Sequence, residues 1–357
     1  MPAGSFRRTM PNVPAIGKDQ KVRGMRSHTR VLAAALAALP VLASAAPRAH
    51  AAADDDATRM FVVADPRIGE SSGLAVSRRH AGIVYTHNDS GGSPRVFALG
   101  PDGRTRATFT LSGVTARDWE GMAVGVDEGG RPALYVADIG DNLGGAWPYV
   151  TVYRIPEPSR LRDQTVRATA FRLRYEDGPR NAETVIINPR TNRLYVASKL
   201  FSGALYEAPA RLRTGRSNIL RKVGDAPALA TDGAFAPDGR SLVIRTYFSA
   251  HVYSFDDGAK EKTDSLRSFK LPAQEQGESI TYTADGAAVL AGSEGSGQPV
   301  WRVPLPEKAR PGRTGEPRAS DDRPDDGDPA RDRNNVGLVI AVGLALALGY
   351  GVLRRRG

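Results

Sequence analysis

Apolar and polar positions alternate in short runs through most of this chain, and Gly, Asp, Asn, Ser or Pro separate one run from the next. IVYTHND (83–89), RVFALG (95–100) and RATFTLSG (106–113) set the pattern; ALYVADIGDN, VTVYRIPEP and ATAFRLRYEDG repeat it further along. A period of two, with β-branched and aromatic residues at the apolar positions, predicts half-buried antiparallel strands joined by tight turns.

Each group of strands opens with a variant of one phrase. The variants are ESSGLAVS (70–77), DWEGMAVG (118–125), NAETVIIN (181–188), ATDGAFAP (230–237) and QGESITYT (276–283). Laid on one another they align Ser72, Glu120, Glu183, Asp232 and Glu278 in one column, at spacings of 48, 63, 49 and 46 residues. Periods of this size, filled with strands, belong to propellers of small antiparallel sheets. The pattern predicts an all-β fold, a five-bladed β-propeller of four-stranded antiparallel blades. Six blades are the alternative, because the 63-residue spacing has room for further strands. The last group lacks an outer strand, and FVVADPRI (61–68), which has no group of its own, can supply it. Such closure would hide sheet edges that an open array exposes.

The segments outside 58–305 read differently. Residues 25–51 run from a basic stretch, MRSHTR, through the apolar VLAAALAALPVLASAA to a small-x-small site ending near Ala51, the form of a secretory signal. Residues 1–24 precede Met25 without apolar periodicity and are a candidate start-site extension. Residues 306–335 are rich in Pro, Gly, Asp and Arg and predict a solvated linker. Val336 to Leu353 carry no charge over 18 residues and precede three arginines and a tail at 354–357. As a helix they would reach about 27 Å, enough to span a membrane, with the arginines favouring a cytoplasmic C-terminus. The expected arrangement is an exported propeller outside the cell, held by one C-terminal transmembrane helix.

Charge needs dividing before it is used. The net charge is +10, but residues 1–51 and 306–357 account for most of it, leaving 31 Lys+Arg against 30 Asp+Glu between them. A nucleic-acid partner therefore has no electrostatic support. Cysteine is absent, which excludes disulfides and thiolate metal sites.

In a propeller the first strand of each blade lines the central channel, so the column becomes a ring of one hydroxyl and four carboxylates. Carboxylates gathered in a tunnel must take up protons, be solvated or share a cation. Oxygen donors without His or Cys favour a hard ion, and a flexible ring favours calcium over magnesium. The bland alternative is that each acid caps backbone N–H groups of its own blade. Glu70 and Asp118 lie two residues before column members, so they should point to the same side of the strand as a second layer or an additional ligand.

The turns after the second strand of each group align Asn88 and Asp89, then Asp138, Asp141 and Asn142, then Ser198 and Lys199, then Thr246 and Tyr247, and last Ser293 and Glu294. Around one channel mouth, the rim set Asp89, Asp138, Asp141, Asn142, Lys199, Arg245 and Glu294 would place acids beside two bases. A cation next to basic side chains suits a small anionic ligand; ordinary turn chemistry is the competing account. Nucleophile elbows, Walker loops, HExxH and dinucleotide fingerprints are missing, and no catalytic residue is assigned. His87 stands beside the turn cluster but reads as structural, and Trp119 reads as a wedge between blades.

ESSGLAVS with THNDSG, DWEGMAVG with YVADIGDN, and NAETVIIN with LYVASK are similar to phrases of secreted bacterial propellers described as WD40-like or esterase-like. The column order Ser, Glu, Glu, Asp, Glu also resembles the inner-strand ring of the calcium-activated nucleotidases (apyrases). That resemblance implies calcium in the channel, ringed by Ser72, Glu120, Glu183, Asp232 and Glu278. Asp232 departs from the nucleotidase pattern. The expected function is a membrane-anchored extracellular binding protein with calcium in its channel, its partner an unknown protein, a glycan or a small anion at the mouth. A calcium-dependent phosphoester or nucleotide hydrolase is the alternative.

Overall fold

The computed structural model describes residues 56–90, 92–256 and 263–310. The start extension, the signal segment, residues 311–335 of the linker, the 336–353 helix and the tail lie outside the described residues.

Within them the chain is all-β, with 21 strands and one 3-10 turn. In chain order the strands are β1 (Thr58–Val62), β2 (Ser71–Val76), β3 (Val84–Asn88), β4 (Arg95–Leu99) and β5 (Thr105–Ser112), then β6 (Trp119–Val126), β7 (Pro132–Asp138), β8 (Val150–Pro156), β9 (Gln164–Arg167) and β10 (Thr169–Tyr175). β11 (Ala182–Ile187), β12 (Leu194–Ser198), β13 (Ala204–Glu207) and β14 (Asn218–Asp225) follow, then β15 (Asp232–Phe235), β16 (Ser241–Arg245), β17 (Ser249–Phe255) and β18 (Thr263–Lys270). β19 (Gln276–Tyr282), β20 (Ala288–Glu294) and β21 (Pro299–Pro304) complete the set.

The first strands of successive groups, β2, β6, β11, β15 and β19, pack against one another in a cycle that returns from β19 to β2. Their burial explains the cycle. β11 is buried at all six positions and β2 at five of six, polar Ser71, Ser72, Glu183 and Thr184 included, so neither face of these strands is open to water. Hydrophobic clusters fill the spaces between consecutive groups. Tyr85 and Phe109 meet Trp119 and Tyr153 between the first two; Tyr135 and Val152 meet Val185 and Tyr206 between the next two. Tyr195 meets Phe235 and Phe255, and Val252 meets Ile280 and Val303. Phe61, Leu74 and Phe97 meet Leu290 and Val300, which joins the last group to the first. The arrangement is propeller-like.

β1 pairs antiparallel with β21 and completes the last sheet, in the order β1-β21-β20-β19; it spans Thr58–Val62, and so shares only Phe61 and Val62 with the expected run FVVADPRI. Two features break the four-strand pattern. β9 adds parallel to the outer edge of β5, making a five-stranded sheet, and the parallel pairing of β10 with β14 fuses the second and third groups into one eight-stranded sheet. The 63-residue spacing between Glu120 and Glu183 thus holds a crossover strand that covers a neighbour's edge. At the C-terminal end, Glu307–Ala309 form the 3-10 turn, and Ala309 is buried against the core that contains Leu305. The first residues of the segment read as linker pack on the domain.

Candidate metal centre

The column residues are placed by β-bulges. Pairing of β2 with β3 slips between Ser71 and Gly73, β6 with β7 between Trp119 and Met122, β11 with β12 between Ala182 and Thr184, and β19 with β20 between Gly277 and Ile280. Ser72, Glu120, Glu183 and Glu278 sit in those slips. A bulge bends its strand and re-aims a side chain that regular pairing would commit to one face. Small residues follow in the column, and two need to be glycine. A Cβ on Gly73 would lie 2.8 Å from the Met122 nitrogen, and one on Gly121 would lie 2.8 Å from both the Glu183 carbonyl oxygen and the Val185 nitrogen. β2 thereby nests in the bulge of β6, and β6 in the bulge of β11.

Ser72, Glu120, Glu183, Asp232 and Glu278 are all buried. Ser72 Oγ donates to Glu120 Oε2 at 3.2 Å. Glu183 Oε1 is ion-paired with Lys199 Nζ, and that ammonium lies 4.9 Å from the centre of the Tyr247 ring. Glu278 Oε1 and Glu294 Oε2 accept from the same amide nitrogen of Gln276, at 3.1 and 2.6 Å. Glu70 is half-buried at the start of β2, where its carbonyl accepts from the Asp89 N–H at 2.9 Å.

Asp89, Asp118 and Glu120 each bring a carboxylate oxygen within 4.8 Å of the others, so this trio could hold a metal ion. Its parts come from three places: the turn after β3, the approach to β6 and the bulge in β6. Asp138 positions Asp118 by accepting the Asp118 N–H at 3.2 Å, and Arg117 closes on Asp138 at 3.4 Å. Gly140 lines the trio so closely that a Cβ there would lie 2.4 Å from an Asp118 oxygen and 2.6 Å from Glu120 Oε1. The Asp141 N–H donates to Asn181 Oδ1 and Asp141 Oδ2 caps the Trp147 N–H, while exposed Asn142 accepts from the Asn181 amide.

Burial raises the acids. Asp89 is pushed up to about 9 by burial and then by the charges of Asp118, Glu294 and Glu70; Glu294 is pushed up to about 8 by burial, Glu278 and Glu183. Glu120 and Glu183 stand well above the usual carboxylate range for the same reason, and burial also raises Asp118. Burial pulls the Lys199 ammonium down, but Glu183, Glu278 and Glu120 outweigh it and hold it well above its ordinary value. Two unit charges near 5 Å repel by roughly 3 to 4 kcal/mol at an effective dielectric of about 20. A fully ionised trio would therefore cost roughly 10 kcal/mol, as much as a domain's whole stability. Protons or a cation must neutralise it.

Two column and rim residues stand apart. Asp232 lies in a strand whose pairing has no slip, and its Oδ2 accepts the Ile280 N–H at 2.8 Å, tying β15 to β19. Arg245, cross-strand from Asp232, is fully buried. Its guanidinium donates to the carbonyls of Ser279 and Gly292 at 2.8 and 2.9 Å and to Gln274 Oε1 at 3.2 Å, a strut between sheets. His87 is enclosed edge-on against Trp119, with burial lowering it to about 4. Trp119 itself is wedged between the first two sheets.

No family model matches this chain, and no curated protein does. Among solved structures, the allergen Mala s 1 of Malassezia sympodialis is 12% identical over 69% of this chain and 95% of its own, at a TM-score of 0.44. A gluconolactonase of Xanthomonas campestris is 16% identical over 71% and 96%, at 0.36, and the U3-55K protein 9% identical over 71% and 99%, at 0.40. At these scores neither function nor site residues transfer from them.

Proposed function

We propose that the chain is an exported five-bladed propeller, anchored by residues 336–353, whose channel mouth holds one calcium ion and presents it to a partner with oxygen donors. The observation that carries this reading is the trio Asp89, Asp118 and Glu120, whose oxygens approach within 4.8 Å while Asp89 Oδ1 is buried without a hydrogen-bond partner. The donor set fits a hard ion: all are oxygens, and they come from separate elements, which tolerates the longer and more variable calcium distances. Three carboxylates supply fewer than the six to eight oxygens calcium takes, so positions would remain for Ser72, Glu70, water or a ligand. A protein, glycan or small anion can fill them, with Lys199 at the same mouth.

Export and anchoring rest on the signal-like 25–51 and the uncharged 336–353. Phosphoester hydrolysis remains the competing reading, and chelator-sensitive turnover would favour it. The direct test is thermal unfolding of the full-length chain in detergent. Calcium should raise the midpoint by mass action, by about 2.7 kcal/mol of stability at a hundredfold excess over the dissociation constant. An unchanged midpoint at millimolar calcium refutes the reading.

A further inference from the structure

The mouth divides into two halves. Asp89, Asp118 and Glu120 form one; Glu183, Glu278 and Glu294 form the other, with Lys199 on Glu183 and the Gln276 amide joining Glu278 to Glu294. In the second half two oxygens, Glu183 Oε2 and Glu278 Oε2, are buried without a hydrogen-bond partner, on side chains that are almost wholly enclosed. Among the described residues these carboxyls are not gathered as closely as the first trio; they are linked through the Gln276 amide and the ammonium on Glu183.

We propose that Lys199 is the resident second cation of the channel. Its ammonium holds the place beside Glu183 and Glu278 that a second divalent ion would take, and so limits the mouth to one. This rests on the reading of the first half as a calcium site. Charge and chemistry both point this way. An ammonium contacts Glu183 and stacks over Tyr247, as a cation with no coordination demands can, whereas a divalent ion would need the free oxygens of Glu183 and Glu278 as ligands. Lys199 reaches this place because the β12–β13 turn starts at the channel mouth, its N–H fixed on the Asn181 carbonyl at 3.0 Å.

The test is calcium stoichiometry of the full-length chain, by equilibrium dialysis and by calorimetric titration. Wild type should bind one calcium per chain, Lys199→Met two, and Lys199→Arg, which keeps the charge, one. Adding Glu183→Gln to Lys199→Met should return the count to one. If Lys199→Met does not fold, Lys199→Gln, which leaves a donor for Glu183, should also bind two. One calcium in the folded Met or Gln variant, or two in wild type, overturns the assignment of Lys199 and leaves the first site standing. No calcium in wild type overturns both.

Discussion

Four of the five channel strands carry a bulge where their ring oxygen stands, and β15 does not. At β2, β6, β11 and β19 the pairing slips around Ser72, Glu120, Glu183 and Glu278. At β15 it runs unbroken from Asp232 to Phe235, and Asp232 spends an oxygen on a neighbouring strand's N–H. The same column position therefore does two jobs. Where the strand bulges, the side chain is released towards the mouth, with Lys199 and the acids of neighbouring turns. Where it stays regular, the side chain works as a tie, with Arg245 as a second tie beside it. Identical placement in a repeat does not carry identical chemistry; local backbone geometry decides which.

The largest effect expected from this contrast is at Arg245. Replacing it with Met should cost about 3 to 5 kcal/mol in denaturant unfolding, because buried carbonyls and the nearby Glu278 and Asp232 lose their cation. The calcium increment should persist. Its loss together with the stability would dissolve the contrast.

Next comes pH. Asp89 and Glu294 titrate higher folded than unfolded, so the folded domain holds more protons than the unfolded chain between about pH 4 and their folded values near 9 and 8. Their contribution is complete below about pH 4 and lost as pH rises. Without calcium, stability should fall by about 1.4 kcal/mol per pH unit for each proton involved, and calcium should flatten that slope. A calcium-free stability that rises from pH 5.5 to 7.5 would show that these carboxyls are solvated.

Glu120→Gln should abolish the calcium increment, about 2.7 kcal/mol at a hundredfold excess, while leaving the calcium-free domain no less stable because an uncharged amide suits a site whose burial already favours the protonated carboxyl. Asp232→Ala should do the reverse. It orphans the Ile280 N–H at a cost of about 1 to 3 kcal/mol and leaves the calcium response intact. Equal calcium responses in the two variants would erase the distinction between bulged and regular strands.

Much of this was legible in the chain. The strand periodicity and the repeated phrase specify the strands and their grouping, because each follows from local alternation, but not the parallel pairings of β9 with β5 and β10 with β14, which join distant parts of the chain. The column could be read as well, since each member precedes an apolar run. The bulges could not: one extra residue in a strand leaves the alternation almost unchanged. Nor could the trio be read as such. Asp89, Asp118 and Glu120 lie in three categories of the sequence pattern (rim, flanking layer and column) and meet only because the turn after β3 packs on the approach to β6, where the Trp119 N–H donates to the Asp89 carbonyl. Arg245 reads as a base of the rim, yet its cross-strand position turns it inward. Gln276 and Gly140 carried no signal, since an amide linking two acids and a glycine lining a trio depend on distant partners.

The most direct measurement is an anomalous difference map from crystals of the full-length chain grown with calcium. One peak between Asp89, Asp118 and Glu120, with oxygens at about 2.3 to 2.6 Å, is the predicted result. A map with no peak there, or a peak coordinated by Asp232, would contradict the account.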